Sequence, residues 1–277
     1  MNIENKSENY YLDVEGAKIY YEILGKGPVI IFVPGANGDG YIFEPLRNLL
    51  SEYFTTVIYD RRGFSRSELT KEQNYENKIE KDIDDIYVLV KKITNEKVII
   101  FGSSSGAIVA TKFLIKYSEC IKKCIIHEPP MFSILPDFED WKNFINNVYD
   151  IYKNGDTKGA MIKFGEKIVN VKDAKLMIGD ERNVNSKNRE HWFEYEVRQY
   201  STTIFDIDEI SKYKDQLVLA CGIDNKNYFP YIPNTIISNK TNLEILDLPD
   251  GHLGYIIKPI EFKDKLIEGL KTRNVIY

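Results

Sequence analysis

Short, continuous apolar runs alternate with longer amphipathic stretches along most of this chain. Residues 29–33, Val-Ile-Ile-Phe-Val, contain no polar position. Such a run reads as a strand covered on both faces. Residues 98–101 and 217–221 are apolar runs of the same kind, 55–59 reads as a further strand, 121–126 as another buried strand, and 243–248 as a last one. Between them, 75–93 carries apolar residues at 79, 83, 86, 89, 90 and 93, the spacing of one helical face. Helices are also expected over 42–51, 107–117 and 259–270. At the start, 9–14 and 17–24 around Glu15-Gly16 predict a hairpin, and Gly25-Lys26-Gly27-Pro28 a turn. Strands alternating with helices predict a mostly parallel sheet flanked by helices.

The pattern changes over 131–213. Amphipathic helical stretches and aromatics dominate there, among them Trp141, Phe144, Tyr149, Tyr152, Phe164, Trp192, Phe193, Tyr195 and Tyr200. Because strands resume afterwards, this segment is expected to be a helical insertion in one domain spanning 1–277 rather than a domain of its own. Its aromatics suit an apolar pocket, but at helical spacing most aromatics simply pack a core. Tyr228, Phe229 and Tyr231 are ambiguous in the same way. There are no repeats and no low-complexity tracts.

Composition narrows the picture. With 277 residues, 43% of them hydrophobic, the chain can bury the core of a large α/β domain. A net charge of −5 with dispersed lysines gives no nucleic-acid footprint. The first ten residues are polar and the longest apolar runs are strand-sized, so a cytoplasmic protein without a membrane span is expected. Cys120, Cys124 and Cys221 do not form a ligand pattern and read as free buried thiols. No metal and no cofactor is expected.

The chemistry gathers at Gly102-Ser103-Ser104-Ser105-Gly106. A serine nucleophile must be presented on a sharp strand-to-helix turn, which brings the residues two before and two after it close together. For Ser104 those residues are Gly102 and Gly106. For Ser103 they are Phe101 and Ser105, and Phe101 is too large; for Ser105 they are Ser103 and Ala107. Residues 98–101 supply the strand and 107–110 open the helix, so Ser104 is the candidate nucleophile.

With this elbow, the loop at Pro34-Gly35-Ala36, the turn Asp60-Arg61-Arg62-Gly63-Phe64-Ser65-Arg66-Ser67 and the late segment Gly251-His252-Leu253-Gly254-Tyr255, nearly the whole chain resembles the α/β-hydrolase superfamily, in particular its serine esterase, C–C hydrolase and perhydrolase members. The resemblance implies the α/β-hydrolase fold: a mostly parallel sheet of about eight strands with a helical cap, 131–213, inserted after the sixth strand.

It also implies a chain order of serine, acid, histidine. Of three histidines, His191 sits beside Trp192 in the insertion and reads as a surface or packing residue. His127 ends a strand before two prolines. His252 follows the last strand on a polar glycine turn and is the expected base, accepting the Ser104 proton. The family usually places the acid after the next-to-last strand in a Gly-x-x-Asp pattern. Here Gly222-Ile223-Asp224-Asn225 puts Asn225 at that count and Asp224 one residue early. Asp224 is the first choice. Glu128 is the rival, because some relatives carry the acid after the sixth strand. Asp60 and Asp250 are weaker, Asp60 being better suited to anchoring the turn after the fourth strand. The oxyanion donors implied are the amides of Ser105 and Ala36, with Asn37 next in line to touch substrate.

The expected activity is cleavage of a small or medium carboxylic ester or related acyl compound through an acyl-enzyme on Ser104, a carboxylesterase-type reaction. The same triad could instead serve C–C hydrolysis, perhydrolase-like or lyase chemistry, or the fold could bind a ligand without catalysis. Aspartate-nucleophile chemistry is disfavoured by the serine at the elbow. The expected partner is a small-molecule acyl substrate, with no nucleic acid and no membrane; monomer and homodimer are both compatible with the sequence.

Overall fold

In the computed structural model, which describes residues 7–179 and 186–276, the N-terminal hairpin is β1 (Glu8–Val14) and β2 (Ala17–Leu24), antiparallel with Tyr11 opposite Tyr20. Gly16 turns it at φ +77°. Next come β3 (Val29–Val33), helix α1 (Glu44–Leu50), β4 (Thr55–Tyr59) and the two-residue strand β5 (Glu68–Leu69). Then follow α2 (Lys78–Ile93), β6 (Val98–Ser103), α3 (Ser105–Lys116) and β7 (Ile121–His127).

After β7 the described residues form helices up to the next strand: α4 (Phe138–Lys153), α5 (Thr157–Ile168), α6 (Val171–Ile178), α7 (Ser186–Tyr195), α8 (Val197–Ser201) and α9 (Ile207–Ser211). The chain closes with β8 (Leu217–Gly222), α10 (Tyr231–Thr241), β9 (Leu246–Leu248), α11 (Gly254–Ile257) and α12 (Pro259–Thr272).

The nine strands run in the order β1-β2-β4-β3-β6-β7-β8-β9, with β5 paired to β2. From β4 to β9 every pairing is parallel. The fold is the α/β-hydrolase fold that the sequence implies. The count exceeds the expected one because β5 is too short to leave a periodic trace, and the helical segment therefore follows β7 rather than the sixth strand. The strand expected over 243–248 is shorter: α10 ends at a left-handed Asn242, and the chain joins the sheet only at Leu246. Helix α10 itself escapes sequence reading, since Pro233, Asn234 and Asn239 weaken its helical signal.

Alternation along the strands divides the core. Ile31, Val33 and Ile100 face α2 and α3, whereas Ile30, Phe32 and Phe101 face α1 and α12. A third apolar cluster lies within the helical segment around Trp141, Phe164, Trp192 and Phe193. Thus most of the aromatics there pack against one another. Among the described residues no helix is long and apolar enough to cross a membrane. Cys120, Cys124 and Cys221 are free and buried.

Strand order reverses between β3 and β6. Chain leaving β3 crosses towards β4, and chain leaving β6 crosses towards β7, so the loops that follow them diverge and open a crevice at their carboxyl ends.

Candidate active site

Ser104 sits in that crevice. It is the turn between β6 and α3, with φ 56° and ψ −131°, a combination that costs a non-glycine residue backbone strain. The surrounding structure over-determines it. A Cβ on Gly102 would lie 2.5 Å from the Gly106 carbonyl oxygen, and one on Gly106 2.7 Å from the Pro34 carbonyl oxygen. The steric argument that selects Ser104 from three serines therefore describes real contacts. Ser103 points elsewhere: its Oγ is 2.9 Å from Nδ1 of His127.

His252 lies across the same cavity, whose volume is about 340 Å³ and whose walls include Gly35, Ala36, Asn37, Ser104, Trp192 and Leu253. Its Nδ1 is 2.5 Å from Oε2 of Glu128, and both side chains are almost wholly buried. Burial disfavours the imidazolium, but the Glu128 hydrogen bond and charge, aided by the Asp173 charge, outweigh it and raise the His252 pKa above its ordinary 6.5. Burial likewise works against the Glu128 carboxylate. The His252 hydrogen bond and charge and the Asn225 amide hold its pKa below the usual value.

Asp224, the first choice from the sequence, is not the partner of His252. It lies exposed on a single turn of 3-10 helix after β8. Its neighbour Asn225 is buried and turns inward, donating from Nδ2 to both Glu128 oxygens at 3.0 and 3.1 Å. The Gly222 N–H adds a third bond to Glu128, at 2.8 Å. So the position where the family pattern expects an acid holds an amide that binds Glu128, and the carboxylate beside His252 comes from the end of β7. Glu128 reaches there with φ +51°.

The weaker candidates are engaged elsewhere. Asp60 accepts from the Gly40 N–H at 2.9 Å and pairs with Arg66, tying down the turn after β4. Asp250 pairs with Lys172 at 2.6 Å. His127 is buried, its pKa pulled down to about 4 by burial, and it stays neutral. His191 packs edge-on against Phe64, with ring centroids 4.6 Å apart.

Two features were invisible in the sequence. The first is a clamp on the His252 loop. Asp173, near the start of α6, is fully buried and accepts from the His252 N–H at 2.7 Å and the Leu253 N–H at 3.3 Å. Asn170 caps α6 and donates to both Asp173 and Asn225. The second is a buried ionic network centred on Arg61. Its guanidinium binds Asp82 at 2.9 Å, Glu196 at 2.6 Å and the Gly35 carbonyl at 2.8 Å; Lys78 joins Glu196 at 2.9 Å, and Tyr200 bonds Asp82.

Because a peptide group is planar and trans, anchoring the Gly35 carbonyl points the Ala36 N–H the opposite way. Ser105, as the first residue of α3, has an N–H that no helical carbonyl can take. These are the two amides expected as oxyanion donors, and Ala36 lines the cavity beside Ser104. Asn37 also lines it, at φ +71°, with its carbonyl held by Asn188 at 2.8 Å. Tyr228 is exposed, and Phe229 packs on Trp141.

The profile of the alpha/beta hydrolase fold family matches residues 28–171. Among curated proteins, the uncharacterized hydrolase YraK of Bacillus subtilis (strain 168) is 30% identical over 268 residues, covering 95% of this chain and 96% of that protein. Among solved structures, MGS-M2, an alpha/beta hydrolase from a Medee basin deep-sea metagenome library, superimposes with a TM-score of 0.73 at 17% identity, covering 95% of this chain and 97% of the other. The esterase EaEST from Exiguobacterium antarcticum does so with a TM-score of 0.69 at 18% identity, covering 93% and 97%.

Proposed function

Because the chain belongs to the alpha/beta hydrolase fold family, we propose that it is a serine hydrolase of the carboxylesterase type, with Ser104, His252 and Glu128 as its triad. The observation that carries this reading is the buried 2.5 Å contact between His252 Nδ1 and Glu128, behind a cavity that Ser104 also lines. A carboxylate at Nδ1 keeps the proton there and leaves Nε2 with its lone pair.

In this mechanism Ser104 Oγ attacks the ester carbonyl carbon as its proton passes to Nε2. The amides of Ala36 and Ser105 hold the oxygen on which negative charge develops. The carbon–oxygen bond to the alcohol then breaks, and the alcohol leaves with the proton from Nε2. Water attacks the acyl-enzyme, gives a proton to Nε2, and the free acid departs as the proton returns to Ser104. The helical segment 131–213 serves as a cap on a single α/β domain, and Met161, Met177 and Trp192 give the cavity an apolar lining. A volume of about 340 Å³ is at the low end of ligand pockets, roughly 300–1,000 Å³, which suits a small or medium acyl group. That a structural neighbour is an esterase agrees with this reading.

The test is a series of p-nitrophenyl esters of increasing acyl length with wild type and Ser104→Ala. Turnover should fall at least roughly a thousandfold in the variant, and a fluorophosphonate should label Ser104 alone. Turnover surviving in Ser104→Ala, or a label on another residue, would overturn the assignment.

A further inference from the structure

The cavity holds a cation that the mechanism does not use. Arg189, on α7, lines the cavity together with Ser104 and His252 and is only 9% exposed. The other buried arginines all meet carboxylates: Arg47 pairs with Glu22, Arg61 with Asp82 and Glu196, and Arg62 with Asp85. Among the described residues Arg189 pairs with none. Its Nη2 donates to the carbonyls of Met177 and Ile178, at 3.2 and 3.1 Å, and its Nε is buried without an acceptor. Burial lowers its pKa from the ordinary value, and no carboxylate among the described residues restores it.

A guanidinium taken out of water without a counter-charge is costly, and such groups are retained where an anion is to be bound. The one carboxylate in the cavity wall, Asp39, is occupied by Ser65 and Arg66 at 2.7 and 3.4 Å. Among the described residues Arg189 is also the only arginine or lysine in that wall.

We propose that Arg189 is a substrate-recognition residue for an anionic group, so that the preferred substrate is an acyl compound bearing a carboxylate on the part that lies away from the scissile carbonyl, such as a half-ester of a dicarboxylic acid. This rests on the hydrolase reading for the scissile bond but not for the binding of the anion. The guanidinium N–H groups not taken by the Met177 and Ile178 carbonyls are left for a carboxylate, and apolar side chains of the same wall, Met161, Met177 and Trp192, accommodate the linking methylenes.

The experiment compares mono-p-nitrophenyl glutarate with p-nitrophenyl pentanoate, which match in acyl length and differ in charge, after subtraction of the uncatalysed rate. The ratio of kcat/KM for the anionic over the neutral ester should fall roughly 10- to 100-fold in Arg189→Gln, chiefly through KM, and Arg189→Lys should recover part of it. An equal fall for both esters would overturn the proposal and leave Arg189 only a tie between α7 and the end of α6; a second neutral variant, Arg189→Met, gives the same readout if the glutamine variant does not fold.

Calorimetric titration of glutarate into Ser104→Ala and into the double variant separates this from the hydrolase reading. Binding that depends on Arg189 without turnover of any ester upholds the anion site and removes the hydrolase. Turnover without charge preference and without glutarate binding removes the anion site and leaves the hydrolase.

Discussion

Glu128 carries more of the candidate site than its place in the chain suggests. It stands at a positive φ, fully buried, and accepts three contacts from two neutral donors, Asn225 Nδ2 reaching both its oxygens and the Gly222 N–H one, besides the His252 ring. Those bonds keep it ionised, and the ionised form raises the His252 pKa. The sign for activity follows. A base works when neutral, so kcat/KM falls as pH drops through the His252 pKa of the free enzyme. With that pKa raised, the acid limb of the wild-type profile should lie above pH 6.5. Glu128→Gln removes the stabilising charge and leaves the burial, so its limb should move to lower pH while kcat drops by roughly 10⁴. Asp224→Asn should retain wild-type activity, its side chain being exposed. Paired pH profiles of the two variants check both, and a limb unmoved in Glu128→Gln would sink the assignment.

Two kinds of element hold the reacting groups, and they differ in how they can be perturbed. The β6–turn–α3 elbow is rigid because glycines at 102 and 106 let three backbone segments meet. The His252 loop is held from outside, by Asp173 and Asn170 at the start of α6. That clamp connects the helical segment directly to the His252 loop. Asp173→Ala should lower kcat for simple esters by roughly 10–100-fold, because displacement of about 1 Å suffices for such a loss. Fluorophosphonate labelling should slow in parallel. Unchanged turnover would mean that the loop keeps its position without α6.

The Arg61 network joins the sheet to the helical segment across the whole molecule. Arg61 comes from the turn after β4, Asp82 and Lys78 from α2, and Glu196 and Tyr200 from the α7–α8 region. Arg61 and both its acidic partners are buried, so removing the cation leaves charges uncompensated. Arg61→Met should cost about 3–5 kcal/mol of unfolding free energy, read from the urea midpoint at unchanged m-value. It should also weaken catalysis, because the Gly35 carbonyl loses its anchor. A loss under about 1 kcal/mol would show that Lys78 alone balances the two carboxylates.

At this scale the reach of the amino-acid sequence is plain. Local sterics made Ser104 legible, since of the three serines it has the smallest flanking pair, Gly102 and Gly106, for a strand–turn–helix elbow. The strands β3, β6 and β8 were legible because burial on both faces writes an unbroken apolar run over 29–33, 98–101 and 217–221. The presence of three histidines in the chain reduced the base to a short choice.

The acid was different. Loops after β7 and β8 each carry a carboxylate, and residue spacing does not say which one meets Nδ1. The meeting depends on whether Asn225 or Asp224 turns inward, and that depends on the packing of the turn against Glu128, Asn170 and Gly222. The same holds for Asp173, Arg61 and Arg189, whose partners, or lack of them, lie far along the chain. Periodicity and turn chemistry act between neighbours and determined the scaffold and the candidate nucleophile on it. Which charges are paired, and which one is left facing the cavity, is a matter of long-range contact that only the tertiary structure decided.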